Sequence, residues 1–218
     1  MTADISLEHV ARALSLADFD SREAQLRMAP RPRTIYRPPE QFGTPHQGGV
    51  LVLLYPQQGQ LGLVLTRRTE TLANHRGQIS LPGGRRNGSE ALSTTAVRET
   101  CEELGICLDP DRIIGQLASL YIPPTDFEIH PFVVFHPVRP PLDPAPAEVA
   151  EVLEVPLLWL LDPALHEEEM WQIRGLDVQV PFFLLHGHKV WGATAMVLSE
   201  LENRLRMVLE ETRDNDPA

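Results

Sequence analysis

Apolar residues Ile5, Leu7, Val10, Leu14 and Ala17 recur at helical spacing and predict an amphipathic helix near the N-terminus. Five prolines between Pro30 and Pro45 then predict an extended strap. Two apolar runs, Gly49 to Tyr55 and Leu61 to Thr66, are joined through Gln57-Gln58-Gly59-Gln60 and read as paired strands. The period then changes. From Glu90 to Leu104 there is neither Gly nor Pro, with Ser89 placed to cap the start and Gly105 to stop the end, so this segment is expected to be a helix. Ile113 to Tyr121 and Phe127 to His136 return to strand patterns, separated by Pro123-Pro124, and Val138 to Pro146 is a proline-rich loop read as a static connector, with a lid as the alternative. A short helical segment opening at Pro156-Leu157, a hairpin over Met170 to Val180 and a long helix over Val190 to Glu211 complete the pattern. Strands, one glutamate-rich helix, more strands and a last helix make an α/β fold with a mixed sheet between helices.

A chain of 218 residues with 43% hydrophobic content can bury a full core, which predicts one domain over 1–218. Within it, 1–45 is helix and strap, 46–160 the core and 161–218 the closing hairpin and helix. The net charge of -11 disfavours broad binding to nucleic acid or to an anionic membrane, but leaves room for a small polyphosphate held by a metal and local arginines. No basic start with an apolar signal core is present, and no stretch approaches 18 uninterrupted apolar residues, so a soluble, cytoplasmic protein is expected. Cys101 and Cys107 are too few and too close for a disulfide framework or a metal finger, and read as thiols of a reducing compartment.

The expected helix carries the chemistry. At about 100° per residue, Glu99, Glu102 and Glu103 share about a third of its circumference, while Val97, Thr100, Cys101 and Leu104 point the other way. Three crowded carboxylates with Arg98 as their one cation repel each other, and a hard divalent cation with oxygen ligands is their natural partner. Leu81-Pro82-Gly83-Gly84 just before the helix suits a tight backbone approach. Arg67, Arg68, Arg76, Arg85 and Arg86 surround the segment and offer forks that match phosphate oxygens.

Taken together, Gly84, Glu90, Arg98, Glu99, Glu102, Glu103 and Gly105 stand at spacings that resemble the Nudix box, the signature of the Nudix hydrolases. The resemblance implies a Nudix-type α/β/α sandwich with a mixed sheet and a catalytic loop-helix-loop. It further implies that Glu99, Glu102, Glu103 and the Gly83 carbonyl hold Mg2+ or Mn2+, that Arg98 and Glu90 brace the loops, and that one carboxylate helps activate water. Thr100 stands where the pattern has an aliphatic residue. Upstream, Leu65-Thr66-Arg67-Arg68, Leu72, His75, Gly77-Gln78 and Leu81-Pro82-Gly83-Gly84 are similar to the signature of the coenzyme A pyrophosphatase branch, departing at Arg68 and Leu81. Tyr121 to Phe127, His130-Pro131-Phe132, Glu148 to Val152 and Trp191 to Ala195 extend the similarity over about residues 47 to 200. It implies hydrolysis of the pyrophosphate of a coenzyme A-like nucleotide to 3′,5′-ADP and 4′-phosphopantetheine, with Arg67, His75, Arg76 and Gln78 as substrate-binding candidates. Glu148 or Glu151 is a candidate for a further carboxylate at the site. A homodimer is compatible with this reading. The alternatives are a Nudix enzyme acting on ADP-ribose or NADH, and a non-catalytic nucleotide-sensing regulator on the same fold.

Overall fold

The computed structural model describes residues 4–32, 44–70 and 76–215. Its spine is β1 (His46–Gln57), whose end turns through the positive-φ pair Gln58-Gly59 into β2 (Gln60–Arg68), the antiparallel pair expected from the two apolar runs. On its other edge β1 runs parallel to β7 (Phe127–Phe135). A parallel pair needs a long crossover, and α3 (Leu92–Leu104) lies within it. Short strands complete the main sheet: β3 (Ile79–Ser80) and β8 (Val149–Pro156) pair with β2, β4 (Gly83–Arg85) with the start of β1, and β5 (Ile113–Gln116) and β6 (Leu120–Ile122) with β7. The single strand expected over Ile113 to Tyr121 is therefore two.

Alternation along the strands separates two apolar layers. Leu51, Leu53, Tyr55, Val64, Phe132 and Val134 pack with Ala96, Val97 and Leu104 of α3. Val52, Leu54, Leu63, Leu65 and Val133 face the other way, toward α4 (Gly192–Asn215) and α1 (Leu7–Leu14). The mixed sheet thus lies between helices, the α/β/α sandwich expected of the sequence. The N-terminal pattern resolves into α1 and a second helix, α2 (Ser21–Arg27), capped by the Asp20 side chain. Residues 33–43 of the expected strap lie outside the described residues.

The expected hairpin near the end is larger than its sequence pattern. β9 (His166–Ile173), β10 (Leu176–Leu185) and β11 (His188–Trp191) form a separate antiparallel sheet whose β9–β10 turn is Arg174-Gly175. Behind it, Glu200 of α4 is fully buried, pairs with Arg204 at 3.0 Å and accepts hydrogen bonds from Gln25 and the Ala118 backbone. These partners satisfy a buried charge and tie α2, α4 and the turn before β6 together. Among the described residues, no helix is long and apolar enough to cross a membrane.

Two local expectations are corrected. Ser89 does not cap α3: the helix starts at Leu92 after Ala91, because Glu90 is held in the loop, where its carboxylate accepts from the Asn87 backbone at 2.8 Å. Cys101 and Cys107 are joined in a disulfide instead of standing as thiols. Gly105 ends the helix in the left-handed region and turns the chain back, which brings the two Cα atoms to 4.4 Å.

Candidate active site

The site is built where β4 and the start of α3 press on β1. Gly83 has φ of 144°, and a side chain there would collide with the Gly49 carbonyl. Gly49 in turn supports the first turn of α3, and a methyl group there would strike the Leu92 carbonyl. Close backbone contact across these glycines sets the helix against the glycine turn. Pro82 accepts from Leu51 N at 2.8 Å, and Arg86 grips Gln47 and the Glu90 carbonyl, fixing both ends of the loop.

Arg98 is the hub of the charged face. It bonds Glu90 at 2.8 Å, Glu99 at 2.7 Å, Glu102 at 3.1 Å and the Arg85 carbonyl at 3.2 Å. Arg98's hydrogen bonds, with help from Asn87 and Thr95, hold the Glu90 carboxyl down at about 2. Glu103 is only 3% exposed, accepts from the Gly83 backbone at 3.2 Å and lies 3.7 Å from Arg68. Burial pushes its carboxyl up to about 7, and burial also raises Glu99. The negative charge of Glu148 adds to both shifts, which brings that residue into the electrostatic reach of the cluster. Glu102, with its side chain 58% exposed, forms the outer edge. Thr100 keeps the apolar face intact by donating its buried hydroxyl to the Ala96 carbonyl at 2.7 Å.

The other candidates separate. Arg67 does not join the glutamates: it is tied to Glu151 at 2.9 Å, and Glu151 also meets His188 of β11 at 3.4 Å. Arg68, one residue on, projects from the opposite face of β2 toward Glu103. Strand alternation placed Arg67 with Leu63 and Leu65 and Arg68 with Val64, so the sequence held a signal for Arg68. Gln78 accepts from Arg68 N through its carbonyl at 3.0 Å and lines the adjoining cavity. Arg76 is exposed and outside that wall, and His75 lies outside the described residues.

The cavity, of about 800 Å³, begins at Arg68, Gly83, Gly84 and Arg85. It runs between Tyr121 to Thr125, the start of α4 at Trp191 to Thr194, and the β9–β10 hairpin at Ile173 and Arg174. Segments far apart in the chain, those of Arg68 and Thr194 among them, meet here. No sequence pattern linked Arg174 to this wall.

Among the described residues, no three His, Cys, Asp or Glu side chains are gathered as a ready-made metal site, and Arg98 and the Gly83 amide engage the carboxylates. The donor chemistry nevertheless suits a hard divalent ion. Glu99 and Glu103 are carboxylates whose ionised form burial penalises, and a nearby cation offsets that cost. The buried Nε of Arg68 has no hydrogen-bond partner among the described residues, leaving a donor for an incoming acceptor such as a phosphate oxygen.

Comparison with known proteins agrees with this geometry. The NUDIX domain family matches residues 45–174. An uncharacterized Nudix hydrolase NudL of Photorhabdus laumondii is 31% identical over 195 residues, covering 89% of this chain and 100% of its own. The human mitochondrial coenzyme A diphosphatase NUDT8 is 33% identical over 158 residues, covering 70% of this chain and 66% of its own. Among solved structures, a MutT/nudix family protein from Enterococcus faecalis shares the fold, with a TM-score of 0.56 at 21% identity, over 95% of this chain and 76% of its own. The domain match spans more than half of the sequence and falls on the strands and helix that build the glutamate site, and the chain belongs to the Nudix hydrolase family.

Proposed function

We propose that this Nudix hydrolase cleaves the pyrophosphate of coenzyme A or its acylated derivatives, releasing 3′,5′-ADP and 4′-phosphopantetheine. One observation carries the reading. Four of the segments that resemble the coenzyme A branch, Gln78, Leu81 to Gly84, Tyr121 to Phe127 and Trp191 to Thr194, converge on a single cavity that opens at the glycine turn beside Glu103. The relationship to a human coenzyme A diphosphatase supports the same substrate.

In this reading Glu99, Glu102, Glu103 and the Gly83 carbonyl would hold Mg2+ or Mn2+. When bound, such an ion lowers the pKa of water and offsets the charge developing on the phosphates. The chain's own groups do the positioning. Arg98 holds Glu99 and Glu102 on one side of the turn, and Glu90 fixes Arg98. Arg68 offers its buried, unbonded Nε to a phosphate oxygen. Glu148, which has no arginine partner among the described residues, is the carboxylate available to take the proton of the attacking water.

Product analysis tests the proposal. Coenzyme A incubated with the enzyme and MgCl2 should yield 3′,5′-ADP and 4′-phosphopantetheine in equal amounts. Intact coenzyme A, in a preparation that consumes ADP-ribose or NADH, would reject this substrate and leave the hydrolase chemistry in place.

A further inference from the structure

The charged side chains lining the cavity are all arginines: Arg68, Arg85 and Arg174, with no acidic residue among the described lining. In a chain of net charge -11, such a one-sided lining selects an anion. Two of the three stand at the chemical end. Arg68 is beside Glu103, and Arg85 contacts His46 at 3.0 Å on the strand carrying Gly83 and Gly84. Arg174 enters from the other sheet, at the β9–β10 turn.

We propose that Arg174 binds the phosphate of the substrate that is not cleaved, which on the coenzyme A reading above is the 3′-phosphate of the adenosine end. Arg174 is exposed and has no hydrogen bond or ion pair among the described residues. The contrast with other arginines of the fold is direct: Arg31 is taken by Glu168, Arg67 by Glu151, Arg139 by Glu154 and Arg206 by Glu202. An unpaired guanidinium at a cavity wall has its full set of donors to offer, and its planar fork matches two phosphate oxygens at once.

The hairpin sets its backbone position. Ile173 and Leu176 are cross-strand partners, so the turn is the two residues Arg174-Gly175, both at positive φ, and the Arg174 backbone is fixed by the strands on either side. Ile173 and Val178 of the same hairpin also line the cavity, together with Trp191 of β11, which Trp171 of β9 meets edge-on at 5.0 Å between ring centroids. The three-stranded sheet therefore presents an aromatic ring and a guanidinium on one wall, the pair of groups that a phosphorylated nucleoside engages by stacking and by charge. Arg67, a substrate-binding candidate from the sequence, has its charge already met by Glu151 and lies outside the cavity wall.

Calorimetric titration of 3′,5′-ADP and of 5′-AMP into the wild type, Arg174→Ala and Arg174→Lys tests the contact without requiring turnover. The wild type should bind 3′,5′-ADP about tenfold more tightly than AMP, a modest ratio for one charge-assisted contact. Arg174→Ala should abolish that preference by weakening 3′,5′-ADP alone, and Arg174→Lys should retain part of it. In steady state, Arg174→Ala should raise KM for coenzyme A with kcat unchanged, and leave dephospho-coenzyme A unaffected. A wild type without the preference, or an Arg174→Ala variant that keeps it, overturns the assignment. Failure of the substrate reading is seen separately, as absence of coenzyme A cleavage.

Discussion

Glu103 and Glu99 are held where ionisation is costly, by burial first and then by the charge of neighbouring carboxylates, so folding gains little from their negative charge. Glu103→Gln and Glu99→Gln should therefore lose at least about a hundredfold in kcat while keeping their Tm, as measured by turnover with MgCl2 and by calorimetry. Near-wild-type turnover in both variants would remove them from the chemistry. Glu90 is the opposite case. Arg98's hydrogen bonds lower its carboxyl to about 2, so its contribution to stability is complete above the ordinary carboxylate value of 4.5 and is lost as pH falls from there to about 2. Wild-type Tm should drop across that window more steeply than the Tm of Glu90→Gln; parallel curves would show that the Arg98 contact contributes nothing to the fold. The carboxylates were legible because their spacing places them on one helix face. The two adjacent arginines were not distinguished, since the branch resemblance favoured Arg67, while alternation along β2 carries Arg68 to Glu103.

The loop-helix-loop was also legible, because glycines, a Gly- and Pro-free run and a closing Gly105 are local signals. Its details depended on longer contacts. Glu90 turns back into the loop and moves the helix start to Leu92, and the left-handed Gly105 brings Cys107 to Cys101. That disulfide closes a short ring over the C-terminus of α3, which is worth about 2 kcal/mol in a chain-entropy account. Reduction, or Cys107→Ser, should lower Tm by roughly 4–8 °C. Activity at 25 °C should be unchanged, because Gly83, Glu99 and Glu103 are positioned by β1 and Arg98 and not by the bridge. A Tm indifferent to reductant would show that the bridge adds no stability, and a loss of turnover on reduction would mean that the bridge positions the carboxylates. The β9–β11 sheet was read as only a hairpin, since β11 is four residues long and its pairing is visible only through register with β10.

Across the whole molecule, the sandwich follows from alternating strands and two amphipathic helical layers, all of which leave a local trace. The cavity does not, because its walls come from the glycine turn, the Tyr121 segment, the β9–β10 hairpin and the start of α4, joined by tertiary packing alone. Substrate choice belongs to this scale. The carboxylate helix supplies hydrolysis of a phosphoanhydride, and the cavity beyond it selects which one. The most direct measurement is kcat/KM, with MgCl2 present, for coenzyme A against ADP-ribose, NADH and diadenosine polyphosphates. Coenzyme A should lead by at least about tenfold, which requires only about 1.4 kcal/mol of additional transition-state binding. A clear lead for ADP-ribose or a dinucleotide would contradict the coenzyme A assignment.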